Sequence, residues 1–314
     1  MIWVIRINHK SKKMKQFYLG GLITLLVACQ EQALPLETEN ELLPMRVEAS
    51  IAQDAKSART AMSGENAISF SENDCIGLFV PWESTARKWT YNGTTWTSAQ
   101  SVYWKDKETN YTFYAYYPCG SEVAASKDAV PLPNLSSQTG TLDGLAAYDF
   151  LVASVTTNYS TTNNGTLSFT DSDAFKHVLG RISFTINNSA MDSKAQLIGI
   201  KLSSDDFHTK SVYNLENRTM SPTEDSMNDI SSAIVPEQTT DILVNPVTNA
   251  TVTISLDYQI NSENVTVSNV IENLSIQAGK KHAMQLTVQQ GQLKLESMTI
   301  ASWEEGTELP GVTL

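Results

Sequence analysis

Residues 251–260, TVTISLDYQI, alternate without a break: Val252, Ile254, Leu256, Tyr258 and Ile260 are apolar, and every residue between them is polar. Successive side chains of a strand point to opposite faces, so a period of two specifies a half-buried strand. The pattern recurs along the chain. Val47, Ala49 and Ile51 alternate with Glu48 and Ser50, and FKHVLGRISFTIN (175–187) puts Val178, Gly180, Ile182, Phe184 and Ile186 on one face. NYTFYAYYP (110–118) alternates and stops at Pro118; CIGLFV (75–80), DFLVASV (149–155), LSF (167–169), HAMQLTVQQ (282–290) and QLKLES (292–297) read as further strands. In KWTYNGTTWT (88–97), Asn92-Gly93 is expected to supply the two positive φ values of a type I′ hairpin turn. No segment carries a long helical stripe. Short strands divided by turn residues predict an all-β chain of sandwiches or barrels.

The N-terminus follows a different rule. Arg6, Lys10, Lys12, Lys13 and Lys15 lead into the short apolar run Phe17 to Ala28, and Cys29 follows. A cationic lead, a short apolar core and small residues before a cut describe a secretory signal peptide, too short to span a bilayer, which takes about 20 apolar residues. Leu26-Val27-Ala28-Cys29 resembles the lipobox of bacterial lipoproteins. That resemblance implies a diacylglycerol on the Cys29 thiol and cleavage before it.

Residues 1–28 are therefore expected to be a signal peptide and 29–45, acidic and without period, a tether. The 286 residues left after the cut suggest two domains at about 100–200 residues each. The long Ser/Thr/Asn loop before residue 174 divides them into 46–173 and 174–314. The whole chain holds 22 Lys+Arg and 34 Asp+Glu. Five of the bases and none of the acids precede Cys29, so the mature chain has 17 against 34, a net charge of −17. Such a surface argues against nucleic acid and against docking on anionic lipid by charge.

The sequence contains no G-x-S-x-G, H-E-x-x-H, G-x-x-x-x-G-K or G-x-G-x-x-G. His177, His208 and His282 are far apart, Asp171 and Asp173 begin a calcium-like D-x-D that AFKH breaks, and Glu304-Glu305 reads as a solvated turn. The expectation is a non-enzyme without metal or cofactor. Cys75 and Cys119 are the two thiols besides Cys29; they are either a disulfide formed outside the cytoplasm or two separate buried residues. Trp82, Trp89, Trp96 and Trp104 fall within 23 residues. They either fill a sandwich core or stack on sugars, which would make the chain a surface glycan-binding lipoprotein.

Taken together, the lipobox, the strand near residue 47, NDCIGLFVP, NYTFYAYYP, YDFLVAS, FKHVLGRISFTI and the closing Trp303 resemble the fimbrillin-like proteins of Bacteroidetes, which build type V pili. The resemblance implies two tandem β-sandwich domains of transthyretin-like topology. It implies export as an outer-membrane lipoprotein and partners that are other pilus subunits. A trypsin-like cut behind the first strand would fall at Arg59, opening a groove that a strand of another subunit fills. The donor is expected from the C-terminal end, where Met298, Ile300, Val312 and Leu314 are spaced apolar residues. Asp225-Ser226-Met227 resembles the O-glycosylation sequon of the same bacteria, with Ser226 as acceptor.

Overall fold

The computed structural model describes residues 42–52 and 69–303, except Ala190, Glu237 and Gln290. Among these residues helical structure is confined to three 3-10 turns, Asp143–Ala147, Tyr159–Thr161 and Asp171–Asp173, and no helix is long and apolar enough to cross a membrane. The all-β expectation holds.

One sheet has six strands, in the spatial order Lys176–His177, Leu151–Thr157, Tyr111–Tyr117, Cys75–Phe79, Arg87–Tyr91, Trp96–Thr97, every pair antiparallel. A four-stranded sheet runs Thr240–Val244, Gly180–Asn187, Lys280–Gln289, Gln292–Ser302, with the middle pair parallel. A five-stranded sheet runs Glu263–Ile276, Val247–Ile260, Gln196–Ser203, Asp229–Ala233, Ser137–Gln138. A smaller sheet joins Thr219–Pro222, Ser211–Asn214 and Val130–Pro131. Finally, Arg46–Ala49 pairs in parallel with Thr166–Phe169.

Two apolar cores result. One lies against the six-stranded sheet and holds Ile76, Leu78, Trp89, Phe113, Phe169 and Phe175. The other is closed from one side by Ile182, Phe184, Met284 and Leu286 of the four-stranded sheet. Ile200, Leu202, Ile254 and Leu256 of the five-stranded sheet close it from the other. Alternation explains the match: Val252, Ile254 and Leu256 are buried, as the 251–260 pattern predicts. The side chain of Gln138, in strand Ser137–Gln138, ties this core's edge to strand Thr240–Val244 of the facing sheet. Its side-chain amide donates to the Leu243 carbonyl at 2.7 Å, and its oxygen accepts the Leu243 N–H at 2.9 Å.

Two expectations change in detail. FKHVLGRISFTIN is two strands, Lys176–His177 and Gly180–Asn187, which lie in different sheets. The Asn92-Gly93 hairpin exists, but its loop has four residues. Gly93 alone has a positive φ, and the Asn92 side chain accepts the Thr94 and Thr95 N–H groups. A two-residue turn with both φ positive occurs at Asn261-Ser262, joining Val247–Ile260 to Glu263–Ile276. Strand pairing also crosses residue 173/174: Val130–Pro131 and Ser137–Gln138 bond to Ser211–Asn214 and Asp229–Ala233.

Candidate functional site

The first strand occupies a groove with partners on both sides. On one side Met45 N–H donates to the Val102 carbonyl and Trp104 N–H to the Leu43 carbonyl. On the other, Arg46 N–H donates to Gly165, Ser50 N–H to Phe169 and Ala52 N–H to Phe175, while Phe175 N–H returns to Ser50. Leu43, Met45, Val47 and Ile51 point inward and are 5–7 % exposed; Arg46 and Glu48 point out. Their core neighbours include Trp96, Trp104, Leu167 and Phe175. The Trp104 indole N–H donates to the Gly165 carbonyl at 2.9 Å and fixes one wall. Burying four such side chains is worth about 1.5–3 kcal/mol each. Withdrawing the strand would bare an apolar trough flanked by unpaired N–H and C=O groups, a template for another strand.

The tryptophans belong to this core. Trp89, Trp96 and Trp104 are 4–7 % exposed and present no face for a sugar. Trp82 is half-buried, edge-on to Tyr111 and Phe113. Core filling, the alternative set beside sugar stacking in the sequence, is what these indoles do.

The sequence motifs after the loop converge on a second point. His177 Nδ1 lies 2.8 Å from the Asp149 carboxylate, and both side chains are buried. The His177 ring stacks on Trp303, with centroids 4.0 Å apart and planes 16° from parallel. Arg181 Nε donates to Asp241 at 2.8 Å, and its terminal nitrogen reaches the Trp303 carbonyl at 3.4 Å. Gly180 lets the backbone pass: a Cβ there would sit 2.3 Å from Ile276 Cγ2. The Asp of YDFLVA, the His and Arg of F-x-H-x-x-x-R and the closing Trp thus form one buried bolt that fixes the end of strand Gln292–Ser302. The sequence separates His177 from Trp303 by more than a hundred residues, so nothing local signalled their contact.

The sequence model of the fimbrillin-like family matches residues 59–303. The chain belongs to the fimbrillin-like family. Two solved structures share the fold. One, from Bacteroides ovatus and provisionally described as a cell adhesion protein, has a TM-score of 0.62 at 15% identity, covering 85% of this chain and 99% of that one. Another with the same description, from Bacteroides uniformis, has a TM-score of 0.57 at 15% identity, covering 83% and 99%. A Bacteroides ovatus protein provisionally named fimbrium tip subunit Fim1C is 26% identical over 154 residues. That match covers 44% of this chain and 28% of the relative's length.

The remaining candidates of this fimbrillin-like chain are scattered. Cys29, Arg59, Glu304-Glu305, Val312 and Leu314 lie outside the described residues. Met298 and Ile300 lie in strand Gln292–Ser302, opposite Met284 and His282, so they are already committed to the sheet. Ser226 is half-buried in the turn after Thr219–Pro222, where its oxygen accepts the Lys210 N–H at 3.2 Å; Met227 beside it is exposed. Cys75 and Cys119 are free thiols whose sulfurs touch. His177 and His208 line one cleft of about 710 Å³ together with Lys176, Tyr213 and Arg218.

His282 stands apart. It is fully buried, and its Nε2 accepts the Gln277 N–H at 3.0 Å. Burial pushes its pKa down to about 4. The unfolded chain therefore takes up a proton between pH 6.5 and 4 that the folded chain refuses. Stability from this group is fully present above pH 6.5 and falls as pH drops to about 4, by about 3 kcal/mol at 1.4 per unit. Urea midpoints measured across that range should show the slope, and His282→Gln should lose it. An unchanged slope in the variant would place the titration elsewhere.

Proposed function

We propose that the chain is a structural, non-catalytic subunit of a cell-surface pilus or an associated adhesin. It is exported as an outer-membrane lipoprotein acylated on Cys29 and assembled by strand exchange after cleavage at Arg59. The carrying observation is the first strand, paired on both sides with four side chains in the core. Family membership supports the same reading. The matched residues begin at Arg59 and leave this strand outside.

Main-chain hydrogen bonds along a vacated groove give affinity, and alternate side chains filling its pockets give specificity. Because the donor end and the accepting groove are different surfaces, each addition leaves a new groove, and assembly is open-ended. Since Met298 and Ile300 are held in the sheet, the donor narrows to residues 304–314, which include Leu309, Val312 and Leu314. Electron microscopy of the cell surface with antibody against this chain should label filaments; label confined to the bilayer without filaments would remove the pilus reading.

One measurement checks both modifications. The intact mass of the uncleaved precursor from its native membrane should equal the chain from Cys29 plus acyl groups plus a glycan. Cys29→Ser should remove the acyl increment and shift the protein out of the membrane fraction, because lipid chains anchor additively at about 0.8 kcal/mol per buried CH2. Ser226→Ala should remove the glycan increment alone. A bare-chain mass would exclude both.

A further inference from the structure

Cys75 opens strand Cys75–Phe79, and Cys119 follows the end of its antiparallel neighbour Tyr111–Tyr117. The Cys119 N–H donates to the Cys75 carbonyl at 3.0 Å, which holds the two residues side by side just past the paired register, whose last pair is Gly77 and Tyr116. The sulfurs are 3.0 Å apart. A disulfide bond is about 2.0 Å long, so closure needs roughly 1 Å of side-chain movement.

We infer that Cys75 and Cys119 are a modification site, closed into a disulfide by exchange with a disulfide of the cell envelope. The inference rests on the proposed export only for the supply of that oxidant. The two thiols are not equivalent. Cys75 is half-buried and Cys119 is 4 % exposed, so Cys75 meets the oxidant first. The Cys119 thiol donates toward the Cys75 sulfur, and the Lys88 ammonium is nearby, its Nζ 3.2 Å from the Gly120 carbonyl. Against the opposing effect of burial, these hold Cys75 down to about 6, so its thiolate is available at neutral pH. The same hydrogen bond, with burial, pushes Cys119 up.

The Cys75 thiolate attacks one sulfur of the incoming disulfide. A mixed disulfide forms, and the first thiolate leaves and takes up a proton. Cys119 then gives up its proton and attacks the Cys75 sulfur, expelling the second thiol. The chain loses two electrons and two protons, and the carrier disulfide gains them as two thiols. The product ties Cys75–Phe79 to the segment that leads away from Tyr111–Tyr117. Ile76 and Leu78 of the first strand so tied are core neighbours of the groove. The bond thus fastens a wall of the groove that must survive when the first strand leaves.

The test uses protein extracted from the host membrane, denatured in acid and alkylated with a maleimide before and after reduction. The expected result is no maleimide on Cys75 or Cys119 before reduction and one on each afterwards. The native chain should weigh two hydrogens less than its reduced form. Protein reduced, freed of reductant and given oxidised glutathione should close again. Cys119→Ser should instead accumulate a glutathione adduct on Cys75, and Cys75→Ser should expose one thiol in the unreduced sample. Maleimide on both residues of unreduced native protein overturns the inference. So does a persistent Cys75–glutathione adduct in the unaltered chain. Failure of export reads out separately, as a Cys29 thiol that takes maleimide and protein outside the membrane fraction.

Discussion

Trypsin is expected to convert the purified precursor into chains that begin at Thr60 and assemble into oligomeric ladders, while Arg59→Ala stays monomeric. The magnitudes explain why one cut suffices. Burial of Leu43, Met45, Val47 and Ile51 contributes about 6–12 kcal/mol. The main-chain bonds to both neighbours add about 1 kcal/mol each. Ordering roughly ten residues costs about 10–20 kcal/mol. These nearly cancel, so the covalent link through residue 59 decides whether the strand stays. Once cut, it would be a weakly held peptide, which on the proposed mechanism a donor strand of better fit should displace.

Intrinsic fluorescence separates release from assembly. Trp89, Trp96 and Trp104 share the core that the strand seals. A variant lacking 304–314 should be cut normally, show a red-shifted emission as water enters, and fail to form ladders. The undeleted chain should recover the blue emission as donors fill the grooves. A stable monomer after cleavage, or unimpaired ladders without 304–314, would remove strand exchange and leave an anchoring or tip role.

What was legible depended on range. TVTISLDYQI and the buried Phe113 and Ala115 of NYTFYAYYP could be read because a period of two is a local property. Strand Glu263–Ile276 was missed although it is among the longest. Two register shifts in its pairing space its buried residues unevenly, at Val267, Ile271, Leu274 and Ile276, which hides the alternation. The parallel partnership of Arg46–Ala49 with Thr166–Phe169 crosses more than a hundred residues and has no local signature. For the same reason the motif residues could be quoted but not connected. Their reason for existing is a contact between Asp149, His177, Arg181, Asp241 and Trp303 that only the fold assembles.

Arg181→Met is expected to be among the most damaging single substitutions in the body of the protein. Arg181 is 5 % exposed and Asp241 1 %. With the guanidinium gone, the Asp241 carboxylate stays buried, keeping a bond from the Thr239 hydroxyl at 3.4 Å. Breaking a buried ion pair from one side costs about 3–5 kcal/mol, because the abandoned charge has no solvent to return to. At about 2–4 °C per kcal/mol for a body of this size, the melting temperature should fall by roughly 10 °C. The double variant Arg181→Met with Asp241→Leu should recover most of the loss, since apolar groups of similar volume often replace such a pair without penalty. Circular dichroism melts of the three proteins decide it, and a single variant within about 1 kcal/mol of the parent would refute the bolt. The recovered double variant then isolates the other half of Arg181's work. It still lacks the 3.4 Å bond to the Trp303 carbonyl. If the bolt aims the following residues at a neighbouring groove, this stable protein should assemble more slowly after trypsin than the parent.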